Sequence, residues 1–394
     1  MAILQFEDLS FEAESDRIKV LFLKNFYTYI PTSLLKQISD YTINKASIVF
    51  EKISDNKAKT KFNFLLENAF EDLKNRLNNN KTVYIHKNSG IPLMGSLSFG
   101  IVDKGSQMLE VKPITGCNLN CIYCSVDEGL STRKIVDFVV EKDYLVSELR
   151  RLIEFKDTQV DVYINPHGEP LLYAGIVPLV KDIAGIKNAK VISIITNGTL
   201  LTKELADELI KAGLNKINIS LCALNDKLAT RLAGANYNVK HVLDMISYLK
   251  EKIEVVIAPV YISGVNDEDI VKLIELCKKM PCKIFIQNFL FNERGRNPTK
   301  QVSWDIFYQK LKSLEKIYGI ELIPKGKIVQ TKEYKMPFKK GDIIKPNHVI
   351  PGRYSNENIA SFNNRCITVS RYSTRISDVK ITKSSHNIFY GKLI

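Results

Sequence analysis

The chain has 394 residues, of which 45% are hydrophobic and 25% charged, and a formal net charge of +13. That length predicts a central domain of ordinary enzyme size with smaller flanking modules. No apolar run approaches the roughly 18 residues of a membrane span, the opening MAILQFEDLSFEAESDR lacks the basic flank and apolar core of a secretory signal, and a cytoplasmic protein is expected.

The first hundred residues read as a separate region. Ser33–Tyr41 and Phe62–Leu77 are predicted helices, the second from apolar Phe64, Leu65, Ala69, Leu73 and Leu77 near helical spacing. Strand-like Ala46–Phe50 and Thr82–His86 surround them, with a loop at Asn78–Lys81. Nothing here carries recognisable chemistry, so 1–104 reads as an α+β cap or substrate-recognition module.

From Gly105 the pattern becomes strand, loop, helix, repeatedly. The predicted strands are Met108–Pro113, Val160–Asn165, Lys190–Ile195, Lys216–Leu221, Glu254–Ile262 and Lys283–Phe289. The predicted helices are Asp143–Phe155, Gly175–Ile186, Lys203–Ala212, Lys240–Lys252, Asp267–Lys278 and Ser303–Tyr318. Strands such as Val191–Ile195 are apolar on both faces, as in a parallel sheet covered by helices. The class is α/β, with its core over 105–324 and its site expected in the loops at the C-terminal strand ends.

Directly after the first of these strands stand Cys117, Cys121 and Cys124, spaced C-x₃-C-x₂-C in the run CNLNCIYC. Three thiolates on one loop can hold three irons of a [4Fe–4S] cube and leave the fourth open, whereas ferredoxin clusters are closed by four cysteines. An open iron is where a small molecule chelates, so the spacing points to an enzyme. The alternative is zinc, which wants four nitrogen or sulfur ligands. Seven cysteines and five histidines make a fourth ligand available, but no second pair has convincing spacing. The odd cysteine count does not suggest a disulfide framework. Asn118 and Asn120 between the cysteines either hydrogen-bond cluster sulfurs or provide turn chemistry.

Past the core, 325–394 carries fourteen Lys and Arg against four Asp and Glu, most of the net charge. Such a localised excess is the footprint of a polyanion-binding module; the alternative is a solvated surface. Lys339–Ile344, Arg365–Val369, Asp378–Thr382 and Asn387–Leu393 look like strands of a small β-domain, with Asn347–Asn364 its long loop. Small barrels of the OB type bind nucleic acid through a basic face with aromatic platforms. Tyr334, Phe338, Tyr354, Phe362, Tyr372, Phe389 and Tyr390 are available, most of them for the core and two or three for stacking.

The cysteine spacing, with Tyr123 before its last member, resembles the radical S-adenosylmethionine (SAM) superfamily. Asn165, Pro166, His167, Gly168, Glu169 and Pro170 resemble its GGEP segment, with His167 in place of the first glycine. Thr196, Asn197, Gly198 and Thr199 look like its TNG segment, and Ile219, Ser220 and Leu221 like the strand whose serine reaches SAM. Val260 to Asp267, containing Gly264, resembles the strand end beside the adenine. The likeness runs from Gly105 to Gly319. The extended run CNLNCIYCSVDEG, preceded by FGIVDKGSQMLEVKP, looks most like an archaeal group within the superfamily. The resemblance implies a partial (β/α)6 TIM barrel, a [4Fe–4S] cluster held by Cys117, Cys121 and Cys124, and SAM on the open iron. Reductive cleavage of SAM would give a 5′-deoxyadenosyl radical that abstracts a substrate hydrogen. It also implies a one-electron donor such as ferredoxin or flavodoxin. Tyr123, Gly168, Glu169, Asn197, Ser220 and Gly264 are the implied SAM-binding residues. The start of the tail, KKGDII, resembles the TRAM domains of some RNA-modifying members.

Cys222 and His167 are the candidates for catalytic roles, Cys222 as a hydrogen-atom donor at a strand end and His167 as an imidazole near the SAM amino group; the alternatives are a small buried residue for Cys222 and packing or a hydrogen bond to a neighbouring loop for His167. Cys277 and Cys282 are conceivable ligands of an auxiliary cluster, though with Cys366 they read as structural. Arg294, Arg296 and Lys300 form a basic loop that would meet a phosphate or carboxylate, or serve as an ordinary polar loop. The leading expectation is RNA modification, with tRNA held by the C-terminal module. Its rivals are modification of a peptide or protein side chain, and a nucleic-acid-binding protein whose cluster is structural or redox-sensing.

Overall fold

A computed structural model describes residues 1–280, 282–370 and 377–394. Arg371, Tyr372 and Arg375 of the basic tail lie outside the described residues.

The core is a seven-stranded sheet. Met108–Lys112, Val160–Ile164, Ala189–Thr196, Lys216–Ile219, Glu254–Ile257 and Lys283–Ile284 lie side by side in chain order, all parallel. Gly100–Asp103 closes the Met108–Lys112 edge in antiparallel register. Helices Lys142–Lys156, Ile176–Ala184, Lys203–Ala212, Val239–Leu249 and Asp267–Lys279 connect successive parallel strands, which is the (β/α)6 order. The helices start where the sequence offers a cap: Thr202 accepts the backbone N–H of Leu205, Asn238 that of His241, and Ser303, ahead of the closing helix Trp304–Tyr318, that of Ile306. The last two predicted strands are each interrupted. Pairing resumes at Val260–Tyr261 and Gln287–Asn288, beyond Pro259, which has no N–H to give a ladder.

One helix in the core is not expected from the sequence, Asp226–Ala233, eight residues long. Two helices and three strands differ in the N-terminal region. Helix Asp55–Phe70 begins seven residues earlier than expected, after Ser54, and ends before Leu73. It buries Ala58 and Phe62 and leaves Phe64 62% exposed, so its buried stripe lies in a different register from the predicted one. The expected helix at Ser33–Tyr41 is only Thr32–Lys36. Strands Leu9–Ala13, Arg17–Phe22 and Phe26–Pro31 form an antiparallel meander where none is predicted. That sheet ends on Val136–Val140, paired parallel to Lys81–Ile85. The segment following the cysteines is therefore built into the N-terminal sheet.

The C-terminal strands form a six-stranded sheet in the order Ile343–Ile344, Val379–Ser385, Ile388–Leu393, Arg365–Ser370, Glu357–Phe362, His348–Pro351. The expected long loop at Asn347–Asn364 is thus largely two paired strands. The sheet is fastened to the segment 91–96. Cys366 donates its N–H to Met94 O at 2.7 Å, and Phe389 donates to Gly95 O at 3.2 Å. Among the described residues no helix is long and apolar enough to cross a membrane.

Candidate active site

The cysteine loop leaves the end of Met108–Lys112 and is held from several sides. At its entry, Thr115 N–H donates to Phe138 O at 2.9 Å and Gly116 N–H to His167 O at 3.3 Å. In its middle, Asn120 and Ile122 donate to the carbonyls of Ala233 and Leu232 at the end of the unexpected helix, at 2.8 and 3.0 Å. Gly234, which ends that helix at φ +60°, lies so close that an added Cβ would stand 2.1 Å from Asn120 O. Gly168 approaches the entry as tightly, 2.0 Å from such a Cβ to Gly116 O, at φ +143°. Only glycine fits either place.

Cys117, Cys121 and Cys124 line one cavity of about 300 Å³, at the lower end of the range for small-molecule sites. Tyr123, Gly168, Glu169, Asn197, Ser220 and Cys222 line the same cavity. They arrive from several different segments, most of them at the C-terminal ends of parallel strands, where such folds place their chemistry. His167 and Gly264 are not among its lining. Gly264 instead turns the chain ahead of helix Asp267–Lys279, donating to Asp267 Oδ2 at 2.6 Å, and Val260 is the lining residue of that strand end. Burial, then the charges of Lys112, Lys134 and Arg353, push the His167 imidazole well below its usual range and keep it neutral.

Glu169 is the polar centre of the cavity. Its carboxylate accepts Thr196 Oγ1 at 2.6 Å, Leu171 N–H at 3.1 Å and Asn197 N–H at 2.9 Å. It is 1% exposed, and burial pushes it up to about 7 despite those three donors. Asn197 also donates to Asn118 Oδ1 at 2.9 Å, and Asn118 donates to Thr199 Oγ1 at 2.9 Å. The cysteine loop and the Asn197 turn are thus wired together, which is what Asn118 does between the first two cysteines. Tyr237, unmarked in the sequence, lines the cavity and donates its hydroxyl to Asn197 O at 2.9 Å.

The donor set fits an open cluster. Backbone N–H groups already point at two sulfurs: Leu119 to Cys117 Sγ at 3.4 Å and Glu128 to Cys124 Sγ at 3.2 Å. Burial pushes the Cys117 thiol up, and pushes that of Cys121 to about 12. Ligation must therefore displace protons from these two sulfurs. Cys222 Sγ lies 3.1 Å from Tyr123 Oη and 3.4 Å from Val260 N–H. Cys277, Cys282 and Cys366 are buried free thiols away from the cavity lining.

The expected basic loop is used internally. Arg296 donates to Cys121 O at 2.9 Å, Glu128 O at 2.7 Å and Asp127 Oδ1 at 2.7 Å, and so grips the cysteine loop. Arg294 pairs with Glu357 and lies over the Tyr354 ring. Lys300 remains exposed. Arg353, one of the basic residues of the tail, is buried, with both oxygens of Glu128 at 2.6 and 2.8 Å and with Asp137. Nothing in the sequence signals the grips of Arg296 on Cys121 and of Arg353 on Glu128, because the partners stand 175 and 225 residues apart.

The sequence profile of the Radical SAM superfamily matches residues 111–277. The protein MJ0103 of Methanocaldococcus jannaschii is 34% identical over 370 residues, covering 84% of this chain and 85% of its own length. The GTP 3′,8-cyclase of Listeria welshimeri is 34% identical over 187 residues, 45% of this chain and 53% of the cyclase. The chain therefore spans about half the length of that relative. Among solved structures, SuiB of Streptococcus suis bound to S-adenosylmethionine aligns with a TM-score of 0.44 at 17% identity, over 82% of this chain and 73% of SuiB. The profile match begins in the strand that feeds the cysteine loop and spans the GGEP-like and TNG-like turns around the cavity. With a relative at 34% identity over 85% of its own length beside it, it settles the kinship: this chain belongs to the radical SAM superfamily, with a [4Fe–4S] cluster and S-adenosylmethionine as its cofactors.

Proposed function

We propose that this radical SAM enzyme modifies RNA, with tRNA as substrate, and that residues 325–394 hold it. Cys117, Cys121 and Cys124 would each ligate one iron, and Glu169 would accept a hydrogen bond from the SAM amino group. Gly168 would let backbone approach the ligand. Asn197 and Ser220 would contact its carboxylate or ribose, and Tyr123 would pack on its adenine. When bound, the cofactors supply reductive cleavage of the sulfur–C5′ bond and hydrogen abstraction from the substrate. The chain's part would be to hold and orient that chemistry in the cavity. A one-electron donor such as ferredoxin or flavodoxin would supply the electron, in a cytoplasmic setting. The organisation we propose is an N-terminal α+β region (1–104), the catalytic core (105–324) and a basic β-domain of small-barrel type (325–394), with Val136–Val140 of the core completing the N-terminal sheet.

The observation that carries the RNA reading is the lysines. All ten lysines of 325–394 are exposed, while Arg353 and Arg365 are buried. Exposed lysines against a backbone of phosphates give non-specific affinity. The aromatics support it less. Phe338 and Phe389 are buried against each other, and Tyr334, Tyr354, Phe362 and Tyr390 are half-buried.

A second reading has its own support. Leu290 lines the cavity yet is 45% exposed, and its neighbour Phe291 is 63% exposed. An apolar rim at the mouth suits a peptide or protein side chain. Anaerobic reconstitution, reduction with SAM and assay of 5′-deoxyadenosine with and without tRNA separates the two. Stimulation by tRNA, lost as salt is raised, supports RNA. Formation indifferent to tRNA but stimulated by peptide moves the assignment to the second reading.

A further inference from the structure

We propose that Arg353 is a positioning residue that raises the reduction potential of the cluster through Glu128, and so links the C-terminal sheet to the electron transfer that opens the reaction. The inference rests on Cys124 being a cluster ligand. Cys124 Sγ accepts the backbone N–H of Glu128 at 3.2 Å, and hydrogen bonds and charge around ligand sulfurs tune cluster potentials. The Glu128 side chain is 4% exposed and receives Arg353 on both oxygens, with Lys134 as a third donor.

The same guanidinium reaches both flanks of the cysteine loop. It donates to Thr115 Oγ1 at 2.9 Å, two residues before Cys117, and to Asp137 beyond the loop. Two carboxylates, Glu128 and Asp137, thus face two cations, Arg353 and Lys134, and the group closes neutral. Reduction adds a negative charge nearby, so deleting a cation from this group disfavours the reduced state and deleting an anion favours it.

Arg353 belongs structurally to the C-terminal sheet. It lies between strands His348–Pro351 and Glu357–Phe362, and its backbone N–H donates to Glu357 Oε1 at 3.1 Å. Glu357 in turn pairs with Arg294, and Ile135 N–H donates to Arg353 O at 2.9 Å. A displacement of this sheet edge would carry the guanidinium away from Glu128.

The test is a redox titration of the reconstituted full chain without SAM, read by the electron paramagnetic resonance signal of the reduced cluster. R353M should lower the reduced-to-oxidised ratio about tenfold at the wild-type midpoint, a shift of about 59 mV for one electron. E128Q should shift it the opposite way. R353K should stay near wild type, and R353M/E128Q should return toward it because the group is neutral again. Should R353M fail to fold, E128Q and the double variant decide. Unchanged potentials, or R353M and E128Q shifting in the same direction as a merely loosened loop would give, overturn the inference while leaving the site reading intact. Failure of the wild-type chain to assemble any cluster overturns both.

Discussion

The cysteine loop and the C-terminal sheet are both rich in polar and charged residues, yet the two use them in opposite ways. Around the cysteines, a residue type noted in the sequence converges on the cavity in almost every case: three thiols, Glu169, Asn197 and Ser220 face one space. In the C-terminal part, the lysines stay exposed, but two arginines of the same basic excess are spent inside the protein. Arg353 pairs with Glu128 and Asp137, and Arg365 donates to Asn387 Oδ1 at 2.9 Å and lies over Tyr334. Among the described residues of 325–394, arginine, with its planar fork, serves the buried contacts, and the flexible lysines are left at the surface. A charge count is therefore a footprint only after its buried pairs are removed.

The sharpest way to break the comparison is to remove one end of it. Cys117→Ala, Cys121→Ala and Cys124→Ala should each abolish cluster assembly and SAM cleavage, read as iron content and 5′-deoxyadenosine. Binding of tRNA to the C-terminal lysines should survive. Loss of both together would mean that the two regions are one binding unit.

Glu169→Gln comes next in size. The amide places a donor where the carboxylate accepts from Thr196 or Asn197, so SAM affinity should fall by roughly 1–3 kcal/mol, about fivefold to 150-fold. The pH dependence has a definite sign. With its pKa raised to about 7, Glu169 is protonated below that value and a poorer acceptor for an amino group. SAM affinity should rise across that value and level off above it. The linked effect on stability runs the other way: the folded state holds this proton more tightly than the unfolded chain. Glu169 therefore contributes a loss of stability as pH rises from its ordinary value, 4.5, through about 7. In Glu169→Gln both dependences should flatten, as measured by calorimetric titration and thermal melts at several pH values.

What the sequence made legible follows from range. The repeated strand and helix pattern depends on local periodicity, and the core strands fall within a few residues of expectation. Helix Asp226–Ala233 escaped because eight residues carry too short a stripe, Ala229, Leu232 and Ala233. Strand Glu357–Phe362 looked like loop because Glu357, Asn358 and Ser361 are polar, yet all three are buried, since the strand packs into the sheet between two partners. The grip of Arg296 on Cys121 and that of Arg353 on Glu128 span 175 and 225 residues. No local pattern encodes them. Gly264 shows the converse: the motif marks the right strand end, and Val260 rather than the glycine faces the cavity from it.

The C-terminal side of the comparison is sharpened by salt. Lys339, Lys340, Lys380 and Lys383 stand on neighbouring backbone, since Gly341 N–H donates to Ile381 O and Ile343 pairs with Lys380. Changing all four to Gln should weaken tRNA binding and flatten its logarithmic salt dependence by roughly 0.7 for each phosphate no longer neutralised. Basal 5′-deoxyadenosine formation without tRNA should stay unchanged. An unaltered salt slope would remove these lysines from the interface and favour the peptide reading.

The smallest effect is expected of Cys222→Ser, and it tests whether everything facing the cavity is chemical. Its sulfur lies 3.1 Å from Tyr123 Oη and accepts from Val260 N–H, so packing and hydrogen bonding explain its place there. Cys222→Ser keeps a group able to serve both partners. It should hold 5′-deoxyadenosine formation within about twofold, a few tenths of a kcal/mol. Cys222→Val leaves the tyrosine hydroxyl and the Val260 N–H without this partner and should cost more, about 1–3 kcal/mol, because an unmet buried polar group bears its desolvation in full. A serine variant that still cleaves SAM at the normal rate yet yields no modified substrate would reverse the assignment. The thiol's hydrogen atom would then be part of the reaction, since serine can replace the hydrogen bond but its O–H is far too strong to give up that atom.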